Sequence, residues 1–104
     1  MAVVIVATLF PIPEYRDEVI AAIETVQEKV HASDDGCLLY ALHEGRDGRL
    51  VFIEKYTSME ALGAHSKSPE MAELLAALDG KLAQPMDGQI LTPHPAGSAE
   101  KGVL

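Results

Sequence analysis

An α+β fold, an antiparallel ferredoxin-like sheet with helices on one face, is what the sequence predicts, and three observations predict it. The apolar patterns run in the order strand, helix, strand, strand, helix pair, strand. The two central strands flank Gly45-Arg46-Asp47-Gly48, a hairpin signal. Both of those strands are apolar on more than one face, whereas a single layer of helices covers only one face of a sheet. The face left over calls for a second subunit.

Each element has its own signal. Ala2 to Leu9 is β-branched, short and continuous, as a strand buried on both faces requires. Pro11 and Pro13 end it, and Pro13 suits a first helical position, followed by Glu14, Asp17 and Glu18 where negative charge favours a helix start. The helix carries an apolar stripe of Tyr15, Val19, Ile23, Val26 and Val30, with Arg16, Asp17, Glu24, Gln27 and Glu28 toward water. Gly36 closes the connection after Asp34-Asp35. Strands follow at Cys37 to Glu44 and Arg49 to Tyr56.

Pairing Glu44 with Arg49 would place Cys37, Leu39, Ala41, His43, Leu50, Phe52, Glu54 and Tyr56 on one face. Leu38, Tyr40, Leu42, Val51, Ile53 and Lys55 fall on the other. Thr57-Ser58-Met59-Glu60 matches a capping box and opens a short helix to about His65. Ser68-Pro69-Glu70 opens another, with Met71, Leu74, Leu75 and Leu78 on one side and Gly80 near its end. After Pro85, Gln89 to Thr92 reads as a last strand. Residues 1–92 thus form one domain, and 93–104, rich in Pro and Gly, an irregular tail that is mobile or laid on a partner subunit.

Composition narrows the function. A chain of 104 residues, 48% hydrophobic and 23% charged, has the balance of one globular domain with a modest core. Its formal charge of −8 repels nucleic-acid phosphates and anionic lipid headgroups. Ala2 to Phe10 falls far short of the roughly 20 apolar residues of a membrane span and lacks the marks of a secretory signal. The single cysteine, Cys37, permits no intrachain disulfide and reads as a small buried strand residue, so a cytoplasmic location is expected.

The four histidines, His31, His43, His65 and His94, have no metal-ligand spacing, and no metal site is expected. Nucleophile-elbow, phosphate-loop and dinucleotide fingerprints are missing. What stands out is polar groups within apolar segments: Tyr40, His43, Glu54, Tyr56 and His65. His43 and Tyr56 read as strand-end rim residues, and Tyr40 as a core tyrosine whose hydroxyl finds a partner. Glu54 is costly to bury and needs either a partner or a function. His65 follows Ala61 and Leu62 at helical spacing. It is either a hydrogen-bonded core histidine or an imidazole on a pocket wall placed to take a proton.

Asp35-Gly36-Cys37-Leu38-x-Tyr40-x-Leu42, followed by Phe52-Ile53-Glu54-x-Tyr56-x-Ser58-x-Glu60-Ala61-Leu62-x-Ala64-His65-x-x-Ser68-Pro69, resembles the antibiotic biosynthesis monooxygenase domain from about Val3 to Leu91. The resemblance implies subunits paired through their sheets into a dimeric α+β barrel, each with a pocket between sheet and helices. The family includes quinol and anthrone monooxygenases working without metal or organic cofactor, haem-degrading oxygenases, and enzymes acting on small signalling molecules. The haem branch uses an Asn, a Trp and a His, and the anthrone branch an Asn and a Trp, yet this chain has neither Asn nor Trp. His65 falls where the haem branch has its Trp and where the quinol monooxygenase-like branch keeps a His.

The resemblance therefore implies a cofactor-independent monooxygenase acting on a small electron-rich aromatic, such as a quinol, and molecular oxygen. His65 is cast as base or substrate hydrogen-bond partner, Glu54 as its orienting group, and Tyr40 or Tyr56 as donor to the developing oxyanion. His43, Phe52, Met71, Leu74 and Leu75 are the expected pocket residues. Two rivals remain: a non-oxidative enzyme such as an isomerase acting on a small signalling metabolite, and a module that binds an apolar metabolite without turnover. A second ionisable residue converging on His65 favours an enzyme, and an all-apolar surround favours binding.

Overall fold

The computed structural model describes residues 1–104. Four strands, β1 (Val3–Pro11), β2 (Cys37–Glu44), β3 (Leu50–Tyr56) and β4 (Leu82–Leu91), form one antiparallel sheet in the order β2-β3-β1-β4. A 3-10 turn, Pro13–Tyr15, leads into α1 (Arg16–Ser33), while α2 (Met59–Ser66) and α3 (Pro69–Leu78) follow β3. This is the predicted ferredoxin-like α+β architecture. No helix is long and apolar enough to cross a membrane.

The core lies between the helices and one face of the sheet. Val3, Ile5, Ala7 and Leu9 of β1 alternate inward and meet Val19, Ile23, Val26 and Val30 of α1, with Leu74 and Leu78 of α3 closing the layer. Val4, Val6 and Thr8 point to the opposite face, where they are half-buried. Tyr15 packs against the edge of the core as its place in the stripe predicts. Gln27 departs from the expected water-facing position, because its side-chain amide donates to the Tyr40 carbonyl at 3.1 Å.

The hairpin differs from expectation by one residue. Glu44 pairs with Leu50, not Arg49. Arg49 is held inside the turn by Asp47, whose carboxylate accepts from the Arg49 main-chain N–H at 3.2 Å and from its Nε at 2.8 Å. Gly48, at φ +90°, supplies the left-handed residue the turn needs. A slip of one residue turns a strand over. Tyr40 and Leu42 therefore join Phe52, Glu54 and Tyr56 on the inner face, and Leu39, Ala41 and His43 join Val51 and Ile53 outside. A bulge between Cys37 and Leu39 restores the opposition of Cys37 and Tyr56.

Two boundaries also move. The last strand spans Leu82–Leu91 rather than starting after Pro85. Proline is tolerated there because β4 is an edge strand and its ladder with β1 shifts register around Phe10. The residue capping α2 is Ser58, not Thr57, with its hydroxyl accepting from the Ala61 N–H at 3.1 Å. Residues 93–104 contain no helix or strand, and they fold back on the chain's own sheet, where Lys55 Nζ donates to the Leu104 main-chain oxygen at 2.6 Å.

Candidate active site

The site is assembled where α2 meets the α1–β2 connection. Ser68 ties α2 to α3: its Oγ donates to the His65 carbonyl at 2.7 Å and accepts from the Met71 N–H at 3.3 Å. On the other side, the Thr57 N–H donates to the Gly36 carbonyl at 3.0 Å. A Cβ on Gly36 would stand 2.7 Å from the Ala61 Cβ, so only glycine lets the connection lie this close to α2. That closeness brings Asp34, the residue after α1, to the imidazole, with Oδ2 2.9 Å from His65 Nδ1.

His65 is 3% exposed and Glu54 6%, the two buried polar residues of the chain. The Tyr56 hydroxyl donates to Glu54 Oε1 at 2.6 Å, and the same oxygen lies 4.0 Å from His65 Nε2, beyond hydrogen-bond reach. Every fully buried side-chain nitrogen and oxygen has a partner. Nε2 has none within the chain, so it is reached from the adjoining space. That space is a cavity of about 190 Å³, lined by Ile5, Ala7, Tyr40, Phe52, Glu54 and Leu62 together with His65, Met71, Leu74 and Gly88.

The aromatic rings fix the walls. Tyr40 stacks on Phe52 with centroids 4.4 Å apart, and the His65 ring lies 5.3 Å from Tyr40 and 4.9 Å from Tyr56. The Tyr40 hydroxyl has only the Met71 thioether, 3.9 Å away, leaving its donor capacity almost free. Burial, with Glu54 and Cys37 nearby, pushes the Tyr40 phenol upward, so it stays a proton donor. Tyr56 is raised by burial and by its hydrogen bond to Glu54. Glu54 is raised by burial, against the opposing pull of Tyr56 and His65.

Of the residues singled out in the sequence, the fold gathers His65, Glu54, Tyr40, Phe52, Met71 and Leu74 on the cavity wall, while Tyr56, fully buried rather than at a strand-end rim, packs against the imidazole behind that wall with its hydroxyl committed to Glu54. Two lie outside. His43 pairs with Val51 on the outer face and is exposed, a consequence of the hairpin slip. Leu75 is 54% exposed and borders the separate cleft between α3 and β4. Leu74 and Leu78 take the inward positions on α3, which turns Leu75 outward.

Glu54 does not orient the imidazole, because Asp34 is the group in contact with it. Sequence reasoning passed over Asp34 as part of a loop. The available signal was an acidic pair directly after a helix and before a glycine, yet nothing in the order of residues tied it to a histidine 31 positions on.

This arrangement can move a proton. With the Asp34 carboxylate accepting from Nδ1–H, the neutral ring presents Nε2 as an acceptor to the cavity, and the same carboxylate stabilises the imidazolium formed when Nε2 takes a proton.

Comparison with known proteins agrees with the fold. The family profile of the antibiotic biosynthesis monooxygenases matches residues 2–77. Rv0793 of Mycobacterium tuberculosis, a protein assigned as a monooxygenase, is 33% identical over 98 residues, covering 93% of this chain and 96% of its own. The solved structure of Rv0793 superposes with a TM-score of 0.86 over 94% of this chain and 100% of its own. A structure from Caulobacter crescentus CB15, assigned to the same class, gives 0.83 at 28% identity, covering 86% of this chain and 87% of that one. A protein of Methanosarcina mazei Go1, 21% identical, shares the fold with a TM-score of 0.80 over 86% of this chain and 90% of its own. The chain belongs to the antibiotic biosynthesis monooxygenase family.

Proposed function

We propose that this protein is a monooxygenase that oxidises a small electron-rich aromatic, such as a quinol, with molecular oxygen and without metal or organic cofactor. The observation that carries the reading is the Asp34–His65 pair, whose free Nε2 opens on a largely apolar cavity. A quinol hydroxyl lying against Nε2 loses its proton to the ring, and the Tyr40 hydroxyl donates to the oxygen left behind. The electron-rich anion then passes an electron to oxygen, and recombination forms a C–O bond to the ring as a peroxide, which takes back the proton held on His65. Loss of the C–H proton at that carbon breaks the O–O bond, releasing water and leaving a carbonyl, so that the quinol becomes a hydroxyquinone. The apolar walls keep solvent from the anion.

Two ionisable groups, Asp34 and Glu54, converge on His65, which favours an enzyme over a module that only binds. An oxygen-electrode screen of quinols with chelator-treated protein tests the reading. His65→Ala should lower oxygen uptake by roughly 10² to 10⁴-fold, measured per folded molecule. Full activity in that variant removes His65 from the chemistry. No uptake by the folded wild type across the series points instead to non-oxidative acid–base chemistry in the same cavity.

The reading includes a homodimer. Val4, Val6, Val51 and Ile53 form an apolar face that no helix covers. Light scattering should give about twice the 11.2 kDa chain mass, and a monomer mass at micromolar concentration overturns the pairing.

A further inference from the structure

The cavity exists because the inner face of the sheet is not filled at one cross-strand pair. Along β1 the inward residues are Val3, Ile5, Ala7 and Leu9, so Ala7 is the small one. Its partner across the ladder is Gly88 of β4. Directly opposed residues of an antiparallel pair project to the same face, so a side chain at position 88 would stand beside Ala7 and enter the cavity both residues line.

Nothing local demands glycine there. Gly88 is not among the glycines with positive φ, and a Cβ built on it meets no atom within 4 Å. Glycine weakens a strand interior, and in a strand it often marks a bulge, a tight bend, or the close approach of a ligand or another backbone. The register around Gly88 is continuous, with Asp87, Gly88 and Gln89 opposing Thr8, Ala7 and Val6. A bulge is therefore not its purpose.

Resting on the aromatic-substrate reading above, we propose that Gly88, with Ala7, is the size determinant of the site, leaving room for one planar phenolic ring to lie against the bare strand within reach of His65 Nε2 and Tyr40. An apolar cavity of about 150 Å³ holds a benzene ring. The 190 Å³ here therefore has room for a single ring, and anything larger projects past Gly88 and Met86 toward the open side.

Titration with hydroquinone under nitrogen tests the inference without requiring turnover. The wild type should bind the probe, and Gly88→Leu should bind it at least about tenfold more weakly while melting near the wild-type temperature, since a Cβ there meets no atom within 4 Å and the rest of the side chain has the cavity to enter. Gly88→Ala, the gentler variant, should weaken binding about threefold and covers the case in which the leucine does not fold. Wild-type affinity in a folded Gly88→Leu, or in Gly88→Ala where the leucine variant fails, overturns the assignment. Absence of millimolar hydroquinone binding in the wild type overturns the ligand class. Graded binding without oxygen uptake leaves the size determinant standing and removes the oxidation reading instead.

Discussion

The two ends of the inner layer are built on opposite rules. At one end Leu9 pairs with Leu50 beneath the first turns of α1, and Leu9, Leu50, Val19 and Ile23 have no exposed surface and no polar atom among their side chains. At the other end, beneath α2, β3 carries Glu54 and Tyr56, β2 adds Tyr40, and α2 adds His65. The apolar end needs only size and spacing. The polar end needs each buried donor and acceptor matched, and it leaves a cavity where packing could have been complete. Stability alone would have filled it, so the polar end is where function is to be sought.

The contrast breaks first at the apolar end. Ile23→Ala should cost about 2 to 5 kcal/mol, a transfer loss plus a cavity deep in a closed layer, read from denaturant melts. Activity per folded molecule should not change, since Ile23 is remote from the Asp34–His65 pair. A large loss of specific activity in the folded variant would show that the two ends are coupled and the division is false.

This division also separates what was legible in the sequence from what was not. The stripe Val19, Ile23, Val26 and Val30 and the alternation of β1 follow directly from periodicity, because burial there depends on nothing distant. His65, Glu54 and Tyr56 were visible as polar residues misplaced in apolar runs. Their partners were not all visible. Asp34 reaches His65 only because Gly36 lets a loop lie on α2, a contact across 31 residues that no local pattern encodes. Tyr40 reads as a core tyrosine and is one, but a turn counted one residue short puts it on the face opposite Glu54 and Tyr56, and the Asp47–Arg49 contacts that lengthen the turn are tertiary detail of a loop. β4 was read too short because Pro85 normally ends a strand, and only the sheet order shows that it lies on an edge.

Asp34→Asn sharpens the comparison at the polar end. Asparagine keeps the shape but can turn its NH₂ toward Nδ1, which then becomes the acceptor and leaves the proton on Nε2, facing the cavity. A ring in that tautomer cannot take a substrate proton. Oxygen uptake with an accepted quinol should fall by about 10²-fold or more, with melting shifted by no more than about 1 kcal/mol. Asp34 acts through His65, so the pH profile of kcat/KM should change shape as well as height. An unchanged profile at full rate would make the 2.9 Å contact merely structural.

The smallest effect concerns Glu54, where the two rules meet in one residue: an ionisable group in a strand among core side chains. Burial raises its carboxyl above the ordinary glutamate value, and the Tyr56 hydroxyl and His65 only partly oppose this. The folded chain then holds the Glu54 proton more tightly than the unfolded chain does. Below the ordinary value both states are protonated and nothing is lost. As pH rises from there through the raised folded value, the folded state progressively loses stability relative to the unfolded one. Glu54→Gln removes that titration while keeping an oxygen to accept from Tyr56. The stability of the variant minus that of the wild type should therefore climb as pH rises above the ordinary glutamate value and level once pH has passed the raised folded value, by about 1.4 kcal/mol for each unit by which that value is raised. Paired urea melts at several pH values measure it. A difference that stays flat, or that falls as pH rises, would mean that His65 and Tyr56 hold Glu54 as a stabilised carboxylate, and that the polar end is a fully compensated charge network rather than a site kept at a cost.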